Sequence, residues 1–186
     1  MQRKSERGRA PAIVIMGVSG SGKSTLATVL AAKLGCPFLE GDDFHSAANV
    51  AKMRGGEPLT DADRWPWLDR LGAAIGAAAA RDGITVATCS ALKRVYRDRL
   101  RTAIALPTAF VLVTAGRGEL ARRLTARHGH YMPATLLDSQ LAILERPDAE
   151  ELALTLDGSF APELLADQVV GWLTANGPEA RQSAHG

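Results

Sequence analysis

The chain has 186 residues, 46 % hydrophobic and 23 % charged, the size and balance of one globular domain that needs no disulfide staple. A net charge of +2 is too balanced to announce a nucleic-acid binder, while 17 arginines against five lysines favour forked recognition of phosphate or carboxylate. Cys36 and Cys89 form no metal-spaced pair, no apolar run approaches the ~20 residues that a bilayer demands, and the basic N-terminus lacks a signal-peptide core. The expectation is a cytoplasmic protein with residues 1–10 as a basic flexible tail, 11–175 as a single domain and 176–186 as a second tail.

Ala12-Ile13-Val14-Ile15-Met16 is a continuous apolar run, the pattern of a strand covered on both faces. Ser24 to Leu34 reads as a helix with Leu26, Val29, Leu30 and Leu34 on one side and Gly35 as its stop. Pro37-Phe38-Leu39 is a short second strand, followed by a mixed region. Trp65 to Arg81 carries Leu68, Leu71 and Ile75 at helical spacing, and Trp65 and Trp67 suit packing of that helix. Ile84 to Cys89 is a third strand, Val95 to Ile104 a helix, and Phe110 to Val113 a fourth strand. A basic helix near Glu119 to Ala126, a Gly/His/Pro break and a helix near Ala134 to Leu144 come next. Leu152 to Leu156 is a fifth strand, and Pro162 to Leu173 closes the chain as a helix. Apolar strands separated by helices imply an α/β fold with a parallel sheet covered on both faces.

Gly17-Val18-Ser19-Gly20-Ser21-Gly22-Lys23-Ser24 fits G-x-x-x-x-G-K-S/T between the first strand and the first helix. Its glycines let backbone N–H groups turn inward around an anion at a helix N-terminus. Lys23 can reach the β- and γ-phosphates, and the Ser24 hydroxyl can sit on Mg²⁺. This loop, with Thr25 after it, is the expected ATP site. No N-K-x-D or T-K-x-D segment reads guanine, and strands three and four run out as Cys89-Ser90 and Val113-Thr114. The acidic strand end of ATPase motors and switches is therefore missing. The acids stand instead in Glu40-Gly41-Asp42-Asp43-Phe44-His45, after the second strand. A carboxylate there can hold the Mg²⁺ shell or accept the proton of an attacking hydroxyl, or Asp42 and Asp43 can cap the next helix.

Further segments follow in order: the phosphate loop, Phe38-Leu39-Glu40-Gly41-Asp42-Asp43-Phe44-His45, Asn49 with Lys52-Met53, Gly56-Glu57-Pro58-Leu59-Thr60-Asp61-Ala62-Asp63-Arg64 with Pro66-Trp67-Leu68, Cys89-Ser90-Ala91-Leu92-Lys93 with Tyr96-Arg97-Asp98, and Arg127-His128-Gly129-His130-Tyr131 followed by Gln140. Together, over about Ile13 to Leu156, they resemble gluconate kinase. The resemblance implies a three-layer P-loop kinase fold, similar to shikimate and adenylate kinases, with a five-stranded parallel sheet in order 2-3-1-4-5 and a mobile lid near 117–135. It implies transfer of the ATP γ-phosphate to the 6-hydroxyl of D-gluconate, with Mg²⁺ and a homodimer, while composition and the apolar runs argue for no nucleic-acid and no membrane partner. Glu40 stands where the family often has Asp, so a metal-side carboxylate survives with a longer reach.

An aldonic acid brings one carboxylate and several hydroxyls, so its pocket needs cationic forks and paired partners. Arg64 suits the carboxylate, with a surface pair to Asp61 or Asp63 as the alternative. Asp42 suits the base, and His45, Lys52 and Lys93 are further substrate candidates. By the family pattern Arg123 and Arg127 are lid arginines, with Arg127 catalytic and Arg123 on ATP, whereas Arg117 and Arg122 suit a solvated basic face. His128 and His130 make poor zinc geometry. Arg94, Arg97, Arg99 and Arg101 form a basic cluster that composition argues against as an RNA face.

Overall fold

A computed structural model describes residues 10–126 and 134–176. The run of aliphatic residues at Ala12–Met16 becomes β1, the middle strand of a five-stranded parallel sheet. Its companions are β2 (Phe38–Leu39), β3 (Thr85–Thr88), β4 (Thr108–Thr114) and β5 (Ala153–Asp157), in the order β2-β3-β1-β4-β5. This is the expected order. Every β1 residue is buried because helices cover both faces.

Alternation along β1 divides its side chains between two cores. Ile13 and Ile15 pack with Leu26 and Leu30 of α1 (Lys23–Leu34) and with Val169 and Leu173 of α7 (Pro162–Asn176). Val14 and Met16 pack with Trp67, Leu71 and Ile75 of α3 (Asp61–Asp82) and Leu100 of α4 (Arg94–Ile104). A third cluster joins Val18 of the phosphate loop to Leu120 and Leu124 of α5 (Arg117–Ala126) and Leu137 of α6 (Ala134–Ile143).

Two elements differ from the sequence reading. The third helix begins at Asp61, four residues before Trp65, because Thr60 and Asp63 form a reciprocal capping box. The mixed region contains α2 (Ala47–Arg54), capped by Ser46, whose hydroxyl accepts the Asn49 N–H at 3.1 Å. Only Asn49 of this helix is buried, so no apolar stripe advertises it. The expected lid spans α5 and the start of α6. Arg127, His128, Gly129 and His130 lie outside the described residues, as do both expected tails apart from Ala10 and Asn176.

The arginine cluster of α4 is neutralised in place. Arg94 pairs with Asp148 and Glu150, Arg99 with Asp69, and Arg101 with Asp98 and Glu151. Arg97 is fully buried and meets Glu151 at 2.6 and 2.7 Å. Burial alone would raise the Glu151 carboxyl, but the bonds from Arg97 and Arg101 outweigh it and hold the group at about 2.

Candidate active site

The phosphate loop closes tightly on the end of β4. Gly17 has φ +140°, and a Cβ there would stand 2.5 Å from the Val113 carbonyl oxygen, so only glycine permits this approach. Gly22 precedes α1 and supplies no side-chain cap, leaving the helix's first amides to an anion. Ser21 is fully buried, and its hydroxyl has no hydrogen-bond partner among the described residues. An orphaned donor inside such a loop fits a phosphate oxygen. The Lys23 ammonium donates to the Val18 carbonyl at 2.9 Å across the loop.

Beside the loop, Glu40 is held from two sides. The Ser24 hydroxyl donates to Glu40 Oε2 at 2.6 Å, and the Thr88 hydroxyl donates to Glu40 Oε1. Thr88 Oγ1 also accepts the Gly41 N–H at 3.0 Å, and Trp67 Nε1 donates to the Gly41 carbonyl at 2.8 Å. A Cβ on Gly41 would lie 2.0 Å from the Thr88 carbonyl oxygen, so this contact between strand ends requires glycine. The pair of hard oxygen ligands from Ser24 and Glu40 fits Mg²⁺, which takes one or two protein oxygens and completes its shell with phosphate and water. No group of three His, Cys, Asp or Glu side chains among the described residues could hold a metal alone.

Two cavities flank the loop. The first, of about 220 Å³, brings Ser19, Lys23, Asp42, His45, Arg64 and Lys93 together. The turn Gly41–Phe44 delivers both Asp42 and His45 to it. His45 stacks on Trp67 with centroids 4.0 Å apart, and its Nε2 lies 4.0 Å from Asp42 Oδ1. Burial, reinforced by the charges of Arg64 and Arg70, pushes the imidazole down to about 4, so His45 is neutral at pH 7. Arg64 donates to the Leu59 carbonyl at 2.9 Å and lies over the Tyr96 ring. It makes no ion pair with Asp61 or Asp63. Instead Lys93 pairs with Asp61 at 3.2 Å and Lys52 with Asp63 at 2.9 Å. Bonds from Tyr96 and then Lys93 hold the Asp61 carboxyl below its ordinary value. Lys52 does not line the cavity; it is committed to Asp63, which the Thr60 N–H and Lys52 hold at about 2.

The second cavity lies on the opposite side of the loop, against Gly20, Ser21, Gly22, Thr25, Arg123 and Phe160. Arg123 is fixed there by Glu119 at 2.6 Å, the Gly158 carbonyl at 2.8 Å and the Ser21 carbonyl at 3.3 Å. Sequence reasoning gave no role to Thr88, Tyr96 or Phe160, and named Asp61 only as an alternative surface partner of Arg64. Thr88 is only a threonine at a strand end, and the other three come from distant segments with no spacing rule to join them.

The sheet order and loop agree with what comparison shows. A family model described as an AAA domain matches residues 13–147. A gluconokinase of Gluconobacter oxydans is 48 % identical over 166 residues, covering 85 % of this chain and 88 % of that protein. A probable gluconokinase of Schizosaccharomyces pombe is 47 % identical over 143 residues, covering 74 % of each. The crystal structure of a gluconokinase from Sinorhizobium meliloti superposes with a TM-score of 0.83 at 39 % identity, covering 95 % of this chain and 99 % of that one.

Proposed function

The chain belongs to the gluconokinase family, and from that membership we propose that it transfers the γ-phosphoryl group of ATP to the 6-hydroxyl of D-gluconate in the cytoplasm. The observation that carries this reading is the phosphate loop standing between two cavities, one of which gathers a carboxylate, a neutral imidazole and cations beside Lys23. The loop residues Gly17 to Ser24 cradle the phosphates, with Thr25, Arg123 and Phe160 on the nucleoside side. Ser24 and Glu40 would hold Mg²⁺, which would neutralise phosphate charge there.

On the acceptor side, Arg64 and Lys93 meet the substrate carboxylate, and Asp61, Tyr96 and His45 serve its hydroxyls. Asp42 orients the attacking hydroxyl and takes its proton as the new O–P bond forms and the β–γ bridging O–P bond breaks. Lys23 stabilises the charge that develops on the bridging oxygen, which leaves with ADP. Arg127, by its place in the family motif, adds charge to the transferring group; Lys52 acts by holding Asp63 and the start of α3. The paired arginines of α4 support a protein that binds no nucleic acid. The homodimer rests on family resemblance alone.

The test is coupled ADP release with gluconate, idonate, glucose, shikimate and no acceptor. Gluconate is expected to give the highest kcat/KM of the panel, with product phosphorylated at the 6-position. ADP release that no acid accelerates, or that shikimate accelerates most, overturns the reading.

A further inference from the structure

One wall of the acceptor cavity comes from α6, whose Leu136, Ser139, Gln140 and Ile143 fall on one face. The neighbouring Leu137 is buried in the cluster that contains Val18 of the phosphate loop. Next to this apolar contact is a polar one. Gln140 Oε1 accepts the Ser19 N–H at 2.7 Å, and Gln140 Nε2 donates to the Ser19 hydroxyl oxygen at 3.2 Å. Residues 121 apart in the chain are thereby joined at two points.

Ser19 belongs both to the phosphate loop and to the lining of the acceptor cavity. A side-chain amide carries a donor and an acceptor in one rigid plane, so Gln140 fixes the Ser19 peptide and hydroxyl together. It is uncharged and exchanges no proton near neutral pH, which leaves it outside the acid–base chemistry. It holds α6 against the loop at the point where the γ-phosphoryl group must meet its acceptor. Water is the smallest competing acceptor, and an active site rejects it by being walled.

We propose that Gln140 is a positioning residue that ties α6 to Ser19 of the phosphate loop, so that phosphoryl transfer goes to the sugar acid and not to water. This rests on the kinase reading above. The Gln140→Met variant keeps the side chain's length and apolar packing and removes both hydrogen bonds. The Gln140→Glu variant keeps an acceptor for the Ser19 N–H.

The measurement is ADP formed per phosphorylated acid, with the KM of each substrate, using whichever acid of the panel the wild type phosphorylates best. For Gln140→Met we expect a gluconate KM up to about 30-fold higher, the scale of two neutral hydrogen bonds. ADP formed per phosphorylated acid is expected to rise several-fold, with the ATP KM within about threefold of wild type. Gln140→Glu is expected to retain the wild-type ratio more closely than Gln140→Met, whatever its overall rate. A folded Gln140→Met variant with unchanged ratio and acceptor KM overturns the proposal, as does a rise in the ATP KM alone. Should Gln140→Met fail to fold, a Gln140→Glu ratio several-fold above that of the wild type overturns it as well. A wild type that phosphorylates no acid of the panel overturns the kinase reading and this inference together, whereas an active wild type with unaltered variants overturns only the inference.

Discussion

Replacing Gly41 by alanine places a methyl group where the Thr88 carbonyl oxygen is 2.0 Å away. That oxygen cannot retreat, because β3 is paired on both sides, with β1 and with β2. Ordinary contact begins at 3.4 Å, so the segment after β2 must move by about 1.4 Å. The movement breaks two hydrogen bonds, from Gly41 N–H to Thr88 Oγ1 and from Trp67 Nε1 to the Gly41 carbonyl. Overpacking costs about 1–3 kcal/mol, and each lost bond adds about 1 kcal/mol. The expected loss is roughly 3–5 kcal/mol, or about 6–20 °C in Tm for a chain of this size. Gly41 lies between Glu40 and Asp42, and a displacement of ~1 Å at reacting groups is worth ~100-fold in rate. Thermal denaturation followed by circular dichroism, with kcat on the folded fraction, reads both effects. Thr88→Val, which deletes the hydroxyl without a clash, is expected to lose less of each. A Gly41→Ala protein with wild-type Tm and kcat would refute the argument.

Asp42→Asn is expected to keep ATP affinity within about threefold and to lower kcat at least ~100-fold, the scale of a lost general base; nucleotide titration and steady-state rates on one preparation check this, and loss of ATP affinity alone would move Asp42 to the metal side. His45, pushed down from 6.5 to about 4, resists a proton that the unfolded chain accepts. Its contribution to stability is complete above pH 6.5 and is lost as the pH falls towards 4. His45→Phe, which retains a ring on Trp67, should flatten the stability profile in that window; parallel wild-type and variant profiles from denaturant titrations would contradict it.

The α/β order was legible in the chain because a strand buried on both faces reads as an unbroken apolar run, as at Ala12–Met16 and Phe110–Val113. The phosphate loop was legible for a different reason. Its chemistry is local, so glycines, lysine and serine at fixed offsets already define the anion cradle. Asp42 and His45 could be placed near it because one short turn carries both. The partition of the remaining groups was decided by tertiary structure. Lys52 and Lys93 are equivalent as sequence, yet Lys52 is spent on Asp63 outside the cavity while Lys93 lines it against Asp61. Thr88 became the brace of Glu40 only because β3 lies beside β2, 48 residues away along the chain. Gln140 found Ser19 only because Leu137 packs α6 beside Val18. Hydrogen bonds reach about 3 Å, so which polar groups meet across distant segments is set by how the apolar cores pack, and no spacing rule in the chain encodes that distance.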